Sequence, residues 1–362
     1  MKSEITFNLK EITMMMINVI SVKLFFGFPK RLILNSGNAA WIQVIYISAI
    51  MLLLFMLTVF AYKNCSNYSI ISLSERIGGK AMKQIVGLIV SLVLFLNLAA
   101  TIRSYPDMVK MVLLPDAPIE MIFLIYALVI AAAAYCGIES IARIHAIFIP
   151  IVLVIMMLFF AFLAPRLKLY NIFPILGNGP YNIFVKGISG MELFDDFLIL
   201  NLLLPYIKNA TDAKKAGWRA ILTTGAAALL LMLTYGMIYP YPSSKKFIIP
   251  IYQLMRLVGI GDFFQRFEAF FEFVWSLSVF LYSALYLSVI CMTLRDSFDL
   301  KYEKPLIVPI IAITAVVSFG IKDMGEVVSK YWHMTLITVL TAFLLPLVLP
   351  LAYKITKKKS KS

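Results

Sequence analysis

Apolar residues run along this chain in long blocks, not at the two-residue period of strands or in the narrow stripe of a soluble helix. Runs without Asp, Glu, Lys or Arg cover residues 39–62, 84–102, 121–138, 144–164, 220–244, 273–294, 305–321 and 331–353. About 20 apolar residues make one membrane crossing, so these runs predict eight spanning helices. Two further runs are interrupted by charge. Residues 12–34 carry Lys23 at their middle, and residues 187–207 carry Glu192, Asp195 and Asp196. The total expected is ten.

The two charged runs are the first and the sixth, so each opens a block of five. That layout predicts a 5+5 inverted repeat in which the first helix of each block is broken near the membrane midplane, where substrate sites form. Gly27 and Pro29 follow Lys23, and Gly187, Ser189 and Gly190 precede the acids. The expected fold is all-α and integral to the membrane, one polytopic domain over 1–362. Repeat one covers about 12–164, repeat two about 187–353, and a basic tail 354–362. Two connections are long enough for structure of their own, 165–186 and 240–265. In the second, residues 249–258 predict a short helix lying at the membrane interface.

Composition supports the class. The chain is 61% hydrophobic and 14% charged, with a mean hydropathy of +0.90. Soluble domains hold about 25% charged residues. The net charge of +14 is not a nucleic-acid signal, because the cations sit between apolar runs and in the tail. They imply contact with membrane lipid and, by the positive-inside rule, cytoplasmic N- and C-termini. Cys65, Cys136 and Cys291 fit no metal spacing, and His145 and His333 stand alone, expected as packed residues. No nucleophile elbow or phosphate loop is present. Neither a catalytic site nor a metal or cofactor is expected, and the chain is not read as an enzyme.

Charges inside spans ask for a reason. A midplane ammonium costs about 2.5–3.5 kcal/mol on insertion scales. Two roles are open for Lys23: holding a ligand carboxylate or standing in for a coupling cation, and pairing with Glu192, Asp195 or Asp196 across the repeats. Glu192 is expected deep, as a cation- or proton-responsive group, with Asp195 and Asp196 facing a wet vestibule. Asn97 and Thr101 share a helix face and could line a pocket. Phe25, Phe26 and Phe28 flank the first break. Glu268, Glu272 and Trp275 lie on one face at i, i+4, i+7, with Arg266 just ahead. They are read either as a gate or subunit contact, or as an interfacial anchor with an ion pair. Arg103, Asp107 and Lys110 read as a solvated helix end.

Arg266-Phe267-Glu268 with Trp275, Gly190-Met191-Glu192, and the stretch Pro174-Ile175-Leu176-Gly177-Asn178-Gly179 together resemble the spore germination permeases. These are the B-type subunits of nutrient germinant receptors, in the amino acid/polyamine/organocation superfamily. The resemblance covers essentially the whole chain. One departure stands out. Where the family has a small Gly-Ala-Gly-like break ahead of its Pro-Arg end, this chain reads Val22-Lys23-Leu24 before Pro29-Lys30-Arg31, so a backbone less free to unwind is expected there.

The resemblance implies a sensor of a small nutrient, often an amino acid, in the inner membrane of an endospore. It implies work with an A-type membrane subunit and a C-type lipoprotein to trigger germination. The candidate ligand site comprises Val22, Lys23, Leu24, Asn97, Thr101, Ser189, Gly190, Met191 and Glu192. A proton-coupled amino acid transporter and a non-transporting structural or channel-like subunit are the alternatives.

Overall fold

The computed structural model describes residues 6–65, 68–258, 267–323, 325–327 and 332–359. Among these the secondary structure is helical, with one isolated β-bridge, Phe7 to Ile207, and no strand. The α-helices are α1 (Leu9–Ser21), α2 (Phe28–Ser36), α3 (Ala40–Ala61), α4 (Ile70–Val112), α5 (Ile119–Tyr135), α6 (Ile138–Leu163), α7 (Phe197–Leu203), α8 (Ala210–Ile238), α9 (Pro250–Met255), α10 (Phe267–Phe298), α11 (Ile307–Phe319) and α12 (Trp332–Lys359). Each of the eight uninterrupted runs falls on one of the long helices.

Among the described residues, six stretches are long and apolar enough to cross a membrane: Phe28–Ala61, Ile70–Val112, Ile138–Arg166, Ala210–Ile238, Ala269–Phe298 and Ile337–Lys357. Ile119–Tyr135 and Lys304–Phe319 are shorter apolar helices. The chain is an integral membrane protein. Its helices divide by burial. The most apolar stretch of α10 is 83% buried, while those of α6 and of the α2–α3 stretch are 28% buried. Hence α10 is central and packs along α4 and α5, while α1 lies against α6 and α8. On α6, Ile147, Ile151, Val154, Met157 and Leu158 are exposed at three- and four-residue steps. That spacing makes one outward apolar face, suited to lipid.

Several hydroxyls inside the bundle are satisfied locally. Thr224, Ser288, Thr293, Ser297 and Thr314 each donate to the carbonyl four residues back, at 2.6–2.8 Å, a standard device for hydroxyls in apolar helices. His145 is fully buried. Its Nδ1 lies 2.7 Å from the Ile141 carbonyl and its Nε2 3.1 Å from Asn18 Nδ2, which also donates to the Ser278 carbonyl. This ties α1, α6 and α10, so His145 is a packed residue as expected. His333 has its side chain outside the described residues.

Two expectations about helix ends change. Arg103 is buried, not solvated. It donates to the carbonyls of Ile321, at 2.8 Å, and Lys322, and pairs with Asp107 at 3.2 Å. A guanidinium can cap the free carbonyls beyond a helix end, and here it caps those after α11. The 249–258 helix is the shorter α9, with its apolar face covered by protein. Its Ile251, Leu254 and Met255 are at most 1% exposed, because their i, i+3, i+4 stripe packs onto α8, α10 and the break that follows α1.

The 165–186 connection is folded against the end of α2. Asn178 N donates to Ser36 O at 3.2 Å and Asn178 Nδ2 to Asn35 O at 2.9 Å, while Asn38 Nδ2 donates to Phe173 O at 2.7 Å. Gly177 has φ +47°, and a Cβ there would lie 2.0 Å from Ser36 O. Only glycine allows that approach.

Candidate functional site

The first helix is broken at the predicted place. After α1 the chain tightens into a 3₁₀ turn, Val22–Phe25, passes Phe26 and Gly27, and restarts as α2 with Pro29 in its first turn. Small residues at positions 22–24 are therefore not needed for the break. The sixth run is irregular too, a 3₁₀ stretch Lys186–Phe194 followed by α7. Such backbone is tolerated at membrane depth where it is enclosed by protein or lines a cavity.

The breaks meet through charge. Lys23 Nζ donates to Asp195 Oδ1, lies 2.8 Å from Asp196 Oδ2, and donates to the Glu192 carbonyl at 2.8 Å. Asp195 also accepts from Thr338 Oγ1 at 2.9 Å, and Asp196 from the Tyr286 hydroxyl. One ammonium thus draws together the break after α1, the turn ahead of α7, α10 and α12. The expected wet vestibule for Asp195 and Asp196 is not found. They are 5% and 1% exposed, as deep as Glu192 at 6%. Consecutive acids in a tight turn splay to either side of one cation, which lets both be buried.

Glu192 has its own cation. Arg31 Nη2 and Nε lie 2.5 and 2.6 Å from Glu192 Oε1. Sequence reasoning met Arg31 only in the Pro29-Lys30-Arg31 stretch and gave it no role. The available signal was spacing, since Lys23, Gly27 and Arg31 recur every four residues along the broken helix.

Between these groups lies a cavity of about 90 Å³. Val22, Lys23, Asn97, Thr101 and Glu192 line it, as expected, together with Phe26, Gly27, Phe28, Arg31, Ala100, Ser104, Asp195, Tyr282 and Val327. Four other expected residues stand outside its wall. Leu24 is buried in the apolar core, as is Met191. Ser189 accepts from Asn35 Nδ2 at 3.1 Å and donates to Lys186 O. Gly190 lets the strip approach α2 and α3, because a Cβ there would sit 3.1 Å from Ile47 and 3.2 Å from Gln43 and Leu32. On a 3₁₀ turn successive residues point about a third of a turn apart, so neighbours of Lys23 and Glu192 face away.

Beside the break stands an aromatic wall. Trp275 is 1% exposed, with ring centroids of Phe26 at 5.0 Å, Phe25 at 5.6 Å and Tyr105 at 5.9 Å. It is a core residue, not an interfacial anchor. Glu272, one turn before it, is also 1% exposed, and its Oε1 has no hydrogen-bond partner among the described residues. Arg266 and the side chain of Glu268 lie outside the described residues.

A family model described as "Spore germination protein" matches residues 6–327. The chain belongs to that family. Among relatives of the spore germination family, "Spore germination protein B2" of Bacillus subtilis (strain 168) is 23% identical over 89% of this chain and 87% of its own. "Spore germination protein GerQB" of Bacillus cereus is 24% identical over 83% and 82%. The fold is that of transporters. Mhp1, a nucleobase-cation-symport-1 family transporter in a closed conformation with bromovinylhydantoin bound, superposes with a TM-score of 0.68 at 12% identity, over 99% of this chain and 94% of its own. The inward-facing conformation of Mhp1 gives 0.56 at 11% identity, over 99% and 92%.

Proposed function

We propose that this protein is the permease-fold subunit of a spore germinant receptor. In this reading a small nutrient, an amino acid, binds between the broken first and sixth helices. The observation that carries it is the cavity itself, which has cations on one side and carboxylates on the other. Lys23, Arg31 and the amino end of α2 suit a carboxylate. Glu192 and Asp195 suit an ammonium. Its small volume, about 90 Å³, suits a compact zwitterion. Asn97, Thr101 and Ser104 offer hydrogen bonds, and Phe26 and Phe28 exclude water.

The mechanism is a shift between conformers. The site's charges pair with one another, so a ligand carboxylate competes with Asp195 for Lys23, and a ligand ammonium with Arg31 for Glu192. Exchange of partners loosens the tie between the two helices and changes which arrangement is favoured. In keeping with the family, ten spans in a 5+5 inverted repeat, cytoplasmic termini, the spore inner membrane, and A-type and C-type partner subunits complete the proposal.

The test is binding against uptake for the purified protein in liposomes, screened over amino acids. Saturable binding without accumulation, lost in Lys23→Ala and Glu192→Gln, is the expected result. If both variants bind as wild type, the site assignment is wrong. Accumulation driven by a proton gradient supports the second reading, a proton-coupled transporter, which the likeness to Mhp1 favours.

A further inference from the structure

A second cavity lies at the end of the bundle where α3 finishes and α8 begins. Its volume is about 230 Å³. Phe55 and Val59 of α3 and Leu200 and Leu204 of the sixth helix give it an apolar wall. Its mouth is cationic, since Lys63 and Lys214 both line it and both are exposed. The amino end of the 29-residue α8 opens there through Ala210 and Thr211. The first-turn acid, Asp212, is outside the lining and accepts from Asn209 Nδ2 at 3.0 Å. Tyr62 lies in the wall, 6% exposed, and its hydroxyl has no hydrogen-bond partner among the described residues. A buried hydroxyl left unpaired is costly, so it marks a place where a polar group is missing.

An apolar slot with a cationic, N–H-rich mouth and a waiting hydroxyl matches one kind of occupant. We propose that an anionic phospholipid binds here, with an acyl chain between Phe55 and Leu200 and its phosphate at Lys63, Lys214 and the α8 amino end. Helix amino ends and basic pockets between spans both favour lipid phosphates. Leu200 in α7 and Leu204 just after it follow Asp195 and Asp196 closely in the chain, so the lipid bears on the segment whose acids hold Lys23. The inference does not depend on the nature of the nutrient.

Trp218 reports on the site, because its ring lies 6.3 Å from that of Phe55. The full chain is placed in phosphatidylcholine vesicles doped with an equal fraction of brominated-chain phosphatidylglycerol or brominated-chain phosphatidylcholine. The Trp218 signal is the difference from Trp218→Phe. Several-fold stronger quenching by the anionic lipid is expected, lost in Lys63→Gln/Lys214→Gln and reduced in Tyr62→Phe, which keeps both cations and the shape. Excess glycerol phosphate is expected to leave the preference intact. Equal quenching by the two lipids overturns the proposal, as does a preference unchanged in both variants. Displacement by glycerol phosphate also overturns it, by assigning the site to a free phosphate.

Discussion

Lys23 Nζ lies 2.8 Å from Asp196 Oδ2, although the two residues belong to helices 173 positions apart in sequence. Both sit in the bundle interior. Removing one partner of a buried pair leaves a charge that nothing repays, at a cost of about 3–5 kcal/mol. Lys23→Ala is therefore expected to lower the melting temperature in detergent sharply. Lys23→Met combined with Asp195→Asn and Asp196→Asn is expected to recover much of it. An additive double-mutant cycle between positions 23 and 196 would show that the contact does not tie the halves.

Close helix packing makes a sharper steric prediction. A Cβ at Gly87 would fall 1.8 Å from Ser297 Oγ, and one at Gly217 would fall 2.1 Å from Phe55 Cζ. Gly87→Ala and Gly217→Ala are expected to destabilise by about 1–3 kcal/mol through overpacking. Ser297→Gly is expected to rescue Gly87→Ala. Gly236→Ala is the control, since nothing lies within 4 Å of its Cβ position, and it is expected to be neutral or slightly stabilising. Thermal unfolding of the four variants separates a real α4–α10 and α3–α8 contact from a loose one.

Glu272 predicts a gain. A buried carboxyl with an unpaired oxygen costs stability, and replacing it with an apolar group of similar size removes that cost, about 1–3 kcal/mol. Glu272→Leu is expected to melt higher than wild type. If it melts lower, Glu272 has a partner in the membrane-embedded protein. A nutrient response lost in a variant more stable than wild type would assign Glu272 to function.

Asp299 gives a pH prediction outside the spans. It sits in the turn after α10 and accepts from Lys83 at 2.5 Å, with Lys80 3.9 Å away. The Lys83 hydrogen bond and the charges of the two lysines hold its carboxyl below the ordinary value of 3.8. A carboxyl depressed on folding contributes stability above its unfolded value and loses it as pH falls through the folded value. The α4–α10 clamp is thus expected to hold through mildly acid pH and release only below about the ordinary carboxyl value. Asp299→Asn is expected to flatten that acid limb of melting temperature against pH.

Much of this was legible because lipid is an unforgiving solvent. Eight uninterrupted runs became helices, and Lys23 met the acids of the sixth run, since lone charges of opposite sign at membrane depth have few other partners. Direction around each helix was not legible. Apolar runs fix length but not facing, so Trp275 could read as an interfacial anchor, Arg103 as a solvated end and Ser189 as a site residue. Arg31 was hidden because only Lys23 was read as the charge inside its run. The burial of Asp196 depends on Tyr286, 90 positions away, and no local pattern announces such a partner.

The bridge between Phe7 and Ile207 has a mechanical consequence. Phe7 N donates to Tyr206 O at 2.8 Å and Lys208 N to Phe7 O at 3.2 Å, so the strand-like start of the chain is stitched to the exit of the sixth helix. Lys23 joins the same two helices deeper in. Two rivets along one seam turn a pair of hinged rods into a single lever with its short arm at the cavity. Anything that grips the chain ahead of Phe7 therefore holds the long arm.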